Sequence, residues 1–154
     1  SAMVFIILFG ASAFTGIFMS LDGDQLIATW ISSVGIGKWG AFAIMMAIVF
    51  VMGMFLDWLG IVMIVFPIFL PIMDMFGFDR LWIVAVTAVM LQTCFMTPPF
   101  GFALFYIKGI VPPEVKIQEI YRGVIPFILI IIAVVVLVTI FPQVVYFLPN
   151  LVAS

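Results

Sequence analysis

Thr93 and Thr97 lie four residues apart, so they share a face of any helix they occupy, and Gln92 sits beside them. Pro98, Pro99 and Gly101 follow at once, all inside an apolar run over residues 81–107. A proline has no N–H. In a helix Pro98 would leave the Cys94 carbonyl without its donor, and Pro99 would do the same to Phe95. Thr97 and Pro98 each precede a proline, which turns both away from helical dihedrals. At membrane depth such carbonyls are costly unless something satisfies them, and unwound backbone is tolerated only where it is buried in protein or lines a polar cavity. Half-helix ends and bare carbonyls of this kind build ion and substrate sites near the midplane of transporters. The hydroxyls of Thr93 and Thr97 with the Cys94 and Phe95 carbonyls suit a hard cation such as sodium, and no soft-ligand set for a transition metal is present. Gln92 and Thr97 are also candidates for a substrate pathway. The plainer reading is that Gln92 and Thr93 hydrogen-bond between helices.

Asp57 is the acidic residue between two apolar runs. An intramembrane carboxylate is expensive to bury, which makes it a functional candidate by default. It would attract a cation or form a polar hinge; alternatively it is an ordinary loop aspartate, with Gly60 relieving the turn. Ser12 belongs to a first segment that also carries Gly10, Thr15 and Gly16. Small residues of this kind allow close helix packing, and a contribution to a polar pathway is the alternative. Glu114 and Glu119, like Asp22 and Asp24, are loop charges. With no histidine, no nucleophile elbow and no phosphate loop, an enzyme is not expected.

The composition sets the class. The chain is 68% hydrophobic and 8% charged, with a mean hydropathy of +1.49. Soluble domains are roughly 45–50% apolar and roughly 25% charged. An all-α integral membrane protein in contact with the lipid bilayer follows. Five scattered basic residues form no phosphate-binding patch, which excludes nucleic acid as a partner. The single cysteine, Cys94, excludes a disulfide within the chain and reads as a small apolar packing group. The 11 methionines read as adaptable packing. Residues 1–20 carry no basic flank of the signal-peptide kind, so the start reads as a cut inside a longer membrane protein or a partial gene product.

The elements that must position these residues follow from hydropathy. Residues 2–20 form a helix. Residues 21–38 form an external loop with an amphipathic piece over 25–34, where Leu26, Trp30, Ile31 and Val34 would lie at the interface. Two apolar stretches, 39–56 and 58–73, are about 27 Å and about 24 Å long as helices. Both are short for a full crossing of roughly 20 residues. They are either two short spans or, as favoured, the arms of a re-entrant hairpin over 39–73 with its tip at Asp57 to Gly60. Pro67 and Pro71 in the second arm would free further carbonyls. A polar loop covers 74–80. The run 81–107, about 40 Å as one helix, exceeds a hydrocarbon core of roughly 30 Å, and a break at 97–101 resolves the excess. A loop over 108–122 precedes a last helix over 123–141 and an uncharged tail. Functionally, 1–38 groups as first helix and loop, 39–109 as transport elements, and 110–154 as loop, last helix and tail.

Lys108, Lys116 and Arg122 are three of the five basic residues, so loop 108–122 is expected in the cytoplasm and the C-terminus outside.

An ordered series of motifs is familiar: Gly53-Met-Phe-Leu-Asp57, Val65-Phe-Pro-Ile-Phe-Leu-Pro71, Gly77-Phe-Asp79, Leu91-Gln-Thr-Cys-Phe-Met-Thr97-Pro-Pro-Phe-Gly101-Phe-Ala-Leu-Phe105, and Glu119-Ile-Tyr-Arg-Gly123-Val-Ile-Pro126-Phe. It closely resembles the C-terminal part of the large permease subunit of TRAP (tripartite ATP-independent periplasmic) transporters, over nearly the whole chain. Phe-Gly-Phe-Ala-Leu-Phe after the prolines is similar to the branch labelled for mannitol or chloroaromatic compounds. The resemblance implies an elevator-type secondary transporter of the bacterial inner membrane, built from two inverted repeats, of which this chain is the second. It implies a hairpin at 39–73 and a broken helix at 81–107. It also implies sodium coupling with no other cofactor, a periplasmic substrate-binding protein, a small membrane subunit and the remaining N-terminal repeat as partners. By position, the sodium candidates it implies are the hairpin tip, Asp57 to Gly60, and the break, Thr93 to Gly101, which adds Pro98 and Gly101 to the oxygens named above. Many relatives have Asn-Leu where this chain has Met90-Leu91, so a polar group supplied there is absent or taken over by Gln92.

The leading expectation is therefore half of a sodium-coupled importer of small organic acids or related solutes. In it the hairpin and broken helix are mobile, and the last helix belongs to a scaffold or its linker. The alternatives are a proton-coupled or sodium–proton exchanger using Asp57, and a non-transporting scaffold subunit.

Overall fold

A computed structural model describes residues 2–33, 35–98 and 101–153. The described residues form helices joined by short turns. Helix α1 spans Ala2–Ser20 and α2 spans Gly23–Ser33. The two meet at an angle of 65°. Asp22 makes that corner in the left-handed region at φ 53°, a conformation that aspartate tolerates better than most residues. Of the expected interface residues of α2, Leu26 and Trp30 are exposed, but Ile31 is buried in the main core; Val34 lies outside the described residues.

Helix α3, Lys38–Gly53, and α4, Trp58–Met75, form a helical hairpin joined by a tight turn. Within the turn the Leu56 N–H donates to the Met52 carbonyl at 2.7 Å. Asp57 then goes extended and caps α4, its carbonyl accepting from the Ile61 N–H at 3.1 Å. The tip therefore lies at residues 54–57, slightly earlier than expected, and Gly60 falls in the first turn of α4. That helix runs unbroken through Pro67 and Pro71 and, by length and composition, is long enough to cross a membrane.

Helix α4 ends in a Schellman motif. Gly77 is left-handed at φ 71°, the Phe78 N–H reaches the Met73 carbonyl at 3.0 Å, and the Gly77 N–H reaches Asp74 at 2.9 Å. Helix α5, Arg80–Leu91, starts two residues later because Asp79 caps it, its Oδ1 accepting from the Trp82 N–H at 3.0 Å. Arg80 and Asp74 close the corner as an ion pair.

After α5 the chain tightens into a 3₁₀ turn, Gln92–Phe95, and leaves the helix. It resumes as α6, Phe102–Ile110. The expected broken helix is thus present.

Helix α7 spans Ile117–Ile140 and is the longest apolar helix. It begins earlier than the apolar run alone suggested, because Glu119 Oε2 accepts from the Lys116 N–H at 3.1 Å and completes the first turn. The uncharged tail forms α8, Gln143–Ala153. Among the described residues α4 and α7 are each long and apolar enough to span a bilayer, and α1 with α2 adds a third span if the bent pair counts as one.

The core is where the hairpin meets α5. Met45 and Val49 of α3, Ile61, Val65 and Ile72 of α4, and Ile83 and Val86 of α5 are buried together, with Val135 and Val138 of α7 closing one side. At the open end of the hairpin Phe78 stacks on Trp82 at 5.5 Å and Trp39 meets both edge-on. The Trp82 indole N–H donates to the Val138 carbonyl at 3.3 Å, and the Tyr146 hydroxyl donates to Asp79 at 2.8 Å. Lys38 donates to the Gly77 carbonyl at 2.9 Å. These contacts place the start of α3, the α4–α5 corner and the start of α8 at one end of the bundle. A smaller cluster of Leu104, Ile120 and Val124 holds α6 to α7.

Candidate functional site: the helix break beneath the hairpin tip

The break starts where hydroxyls begin to compete for main-chain acceptors. Thr93 is fully buried and Thr97 is 2% exposed. Thr93 Oγ1 donates to the Met90 carbonyl at 2.7 Å, and Thr97 Oγ1 donates to the Thr93 carbonyl at 2.6 Å. The Thr93 carbonyl also accepts from the Met96 N–H at 3.0 Å and the Thr97 N–H at 2.9 Å. It is saturated and has nothing left for an ion. The two hydroxyls, having donated, keep lone pairs as acceptors.

The carbonyls beyond are arranged differently. Pro98 brings no N–H to the Cys94 carbonyl, and among the described residues no backbone donor reaches Cys94 or Phe95 carbonyl oxygens. Pro99 and Phe100 lie outside the described residues. Gly101 returns beneath the turn, its N–H donating to the Thr97 carbonyl at 3.0 Å. A Cβ at Gly101 would stand 2.9 Å from the Phe95 oxygen and 3.0 Å from the Thr97 oxygen. Both oxygens therefore pack against Gly101, with the Leu104 Cδ1 3.1 Å from the same position, and only a glycine fits there. With the Thr93 and Thr97 hydroxyls, they make a set of neutral hard donors suited to an alkali cation. The Cys94 carbonyl is a further neutral oxygen of this turn; the Cys94 sulfur is too soft for such a cation.

The hairpin tip stands over this turn. Gly53, the last residue of α3, is so close to Cys94 that a Cβ on it would lie 2.4 Å from Sγ. Asp57, four residues past the end of α3, is half-buried, makes no side-chain cap bond, and lies within electrostatic reach of Cys94. The structure thus brings Asp57, Thr93, Cys94, Phe95, Thr97, Pro98 and Gly101 into one region. It places the other candidates elsewhere. Gly60 packs toward α1, with Ile7 3.9 Å from where its Cβ would be. Ser12 is exposed on α1. Gln92 is exposed and faces a 230 Å³ cleft between α4 and α5, walled by Trp58, Phe66, Leu91 and Phe95. Met90 and Leu91, where a polar group was expected from relatives, are buried in the core.

Sequence reasoning missed Gly53 as a contact residue. The available signal was a glycine at the end of an apolar arm, where packing can demand the absence of a side chain. It also missed the pairing of Asp79 with Tyr146, which joins residues far apart in the chain.

An all-helical fold, with helices long and apolar enough to span a bilayer and an unwound segment under a hairpin tip, defines the class as an all-α integral membrane protein. The comparison with known proteins is specific. Residues 1–144 match the family described as "Tripartite ATP-independent periplasmic transporter, DctM component", and the chain belongs to that family. It is 33% identical over 105 residues to the sialic acid TRAP transporter permease protein SiaT of Haemophilus influenzae, covering 68% of this chain and 17% of that protein. It is 26% identical to the C4-dicarboxylate TRAP transporter large permease protein DctM of Pseudomonas aeruginosa, covering 96% of this chain and 34% of that one. It is 29% identical to the ectoine/5-hydroxyectoine TRAP transporter large permease protein UehC of Ruegeria pomeroyi, over 100% of this chain and 36% of that one. The chain spans about a third of the length of large permease relatives, and less of SiaT. These relatives are transporter permeases, not enzymes.

Proposed function

We propose that this chain is the ion-coupling repeat of a sodium-driven, binding-protein-dependent importer of small organic acids or related solutes. The observation that carries the reading is the Phe95 and Thr97 carbonyls, packed against Gly101 in the same unwound turn as the buried Thr93 and Thr97 hydroxyls. Sodium entering this turn would be held by neutral oxygens, so its charge, and that of Asp57 nearby, would decide whether the hairpin tip and the break stay together. That makes the ion a condition for moving the loaded site, which is what coupling requires. The hairpin and broken helix would travel as the mobile unit of an elevator.

The partners in this reading are the N-terminal repeat, a small membrane subunit, a periplasmic substrate-binding protein and the surrounding inner membrane. Loop 108–122, which holds Lys108, Lys116 and Arg122, would be cytoplasmic, and the hairpin's open end and α8 periplasmic. The names of relatives carry different cargoes, among them sialic acid, C4-dicarboxylates and ectoine, which supports a common coupling site with selectivity set elsewhere. Uptake by the full-length permease with its partner proteins in proteoliposomes tests it. Uptake should require an inward sodium gradient; uptake indifferent to sodium overturns it.

A proton-linked mechanism is the second reading. It is favoured only by Asp57, half-buried at the tip and without a capping bond.

A further inference from the structure

The approach of Gly53 to Cys94 is the tightest contact between the hairpin tip and the broken helix that a side chain at a glycine would meet. The Cys94 sulfur occupies the space where a Cβ on Gly53 would sit, 2.4 Å away, with the Cys94 Cβ at 3.4 Å and Cα at 3.5 Å. Both residues are buried. Gly53 ends α3, and the turn that carries Asp57 begins at the next residue. Cys94 lies in the 3₁₀ turn, between the buried Thr93 and the Phe95 carbonyl that faces Gly101. The contact is therefore one residue from the ion-site oxygens on one side and leads into the Asp57 turn on the other.

We infer that Gly53 and Cys94 form a positioning pair, which sets the spacing between hairpin tip and unwound turn and thereby the geometry of the cation site. Neither residue binds the ion through its side chain. The glycine lets the tip come down, and the sulfur fixes how far. Closely packed interiors shift when a methyl group is forced into them, and a displacement of a few tenths of an ångström is felt by ligands that must all reach one small ion. This inference rests on the cation site proposed above.

The steric logic gives a graded test in the full-length permease with its partners in proteoliposomes. In Gly53→Ala, the new methyl meets Sγ, and the sodium concentration for half-maximal uptake should rise about tenfold. The maximal rate at saturating sodium should stay within about twofold, because the transported unit is otherwise intact. Cys94→Ala removes the sulfur, and the double variant Gly53→Ala with Cys94→Ala should return the half-maximal sodium to within about threefold of wild type. Gly53→Val should not be rescued in this way, since its Cβ alone would already stand 3.5 Å from the Cys94 Cα and two further methyls must fit around it. A general packing role predicts instead that Gly53→Ala lowers maximal rate and melting temperature with half-maximal sodium unchanged; that result overturns the pair's assigned role, as does failure of Cys94→Ala to rescue. If wild-type uptake ignores sodium, the cation reading falls. The pair is then judged on the half-maximal substrate concentration: shift and rescue there uphold it, and additive effects refute it.

Discussion

The Thr97 hydroxyl donates to the Thr93 carbonyl at 2.6 Å, so two buried threonines one turn apart are bonded to each other at the point where the helix stops. The bond does two things. It adds a third donor to a carbonyl that already serves the Met96 and Thr97 N–H groups, and so removes it from competition for an ion. It also fixes the Thr97 side chain, leaving its lone pairs oriented.

Replacing Thr97 by Ala should therefore raise the half-maximal sodium for uptake by about five- to tenfold, the worth of one buried hydroxyl contact. Thr97→Ser keeps the hydroxyl and should stay within about twofold of wild type. Sodium titrations of uptake in proteoliposomes read both. Equal behaviour of the two variants would remove Thr97 from the site.

Gly101→Ala places a methyl against the Phe95 and Thr97 oxygens and should cost at least about tenfold in sodium affinity, or abolish uptake. Gly109→Ala is the matched control. Nothing lies within 4 Å of its added Cβ, and it should transport as wild type does.

Asp57→Asn separates the two coupling schemes. If sodium is held by neutral oxygens, the variant loses only long-range attraction and should retain sodium-driven uptake with a several-fold weaker sodium dependence. If a proton on Asp57 drives transport, the variant should be dead under a pH gradient. Uptake driven by each gradient in turn distinguishes them.

Asp79 offers a pH test outside the spans. The Trp82 N–H and then the Tyr146 hydroxyl hold its carboxyl below the ordinary 3.8. A depressed folded value means that the carboxylate's contribution is present above about pH 4 and is lost as pH falls through the folded value. The wild-type melting temperature should therefore be insensitive to Asp79 between pH 5 and 8, on the order of a degree or less. Below pH 4 the gap between wild type and Tyr146→Phe should narrow. A gap that is constant down to pH 3 would contradict the assigned bonds.

What could be read from the chain was what covalent structure dictates locally. Pro98 has no N–H in any context, so a break at 97–101 was legible, although the α-helix already gives way after Leu91. The length of 81–107 against a bilayer told the same story independently. Asp57 and the flanking apolar arms announced a turn, but the tip sits earlier than expected because Asp57 acts as a cap and passes the chain into α4. Pro67 and Pro71 look like breaks on local rules, yet α4 is continuous, held by buried Val65, Ile68, Phe69 and Ile72 on one face. Helix α8 was hidden because its residues carry no strong cap and include Pro149; its pairing with Asp79 is a long-range contact no local pattern encodes. Gly53 against Cys94 is of the same kind. Ile31 shows the limit of amphipathic reading, for its helix faces protein on one side and leaves Trp30 outward on the other.

Equilibrium binding of radioactive sodium to the purified full-length permease, wild type against Gly101→Ala, tests the central claim most directly. The account predicts saturable binding that weakens at least about tenfold in the variant while Gly109→Ala stays unchanged. Saturable binding of equal affinity in all three proteins, or none in the wild type, would contradict it.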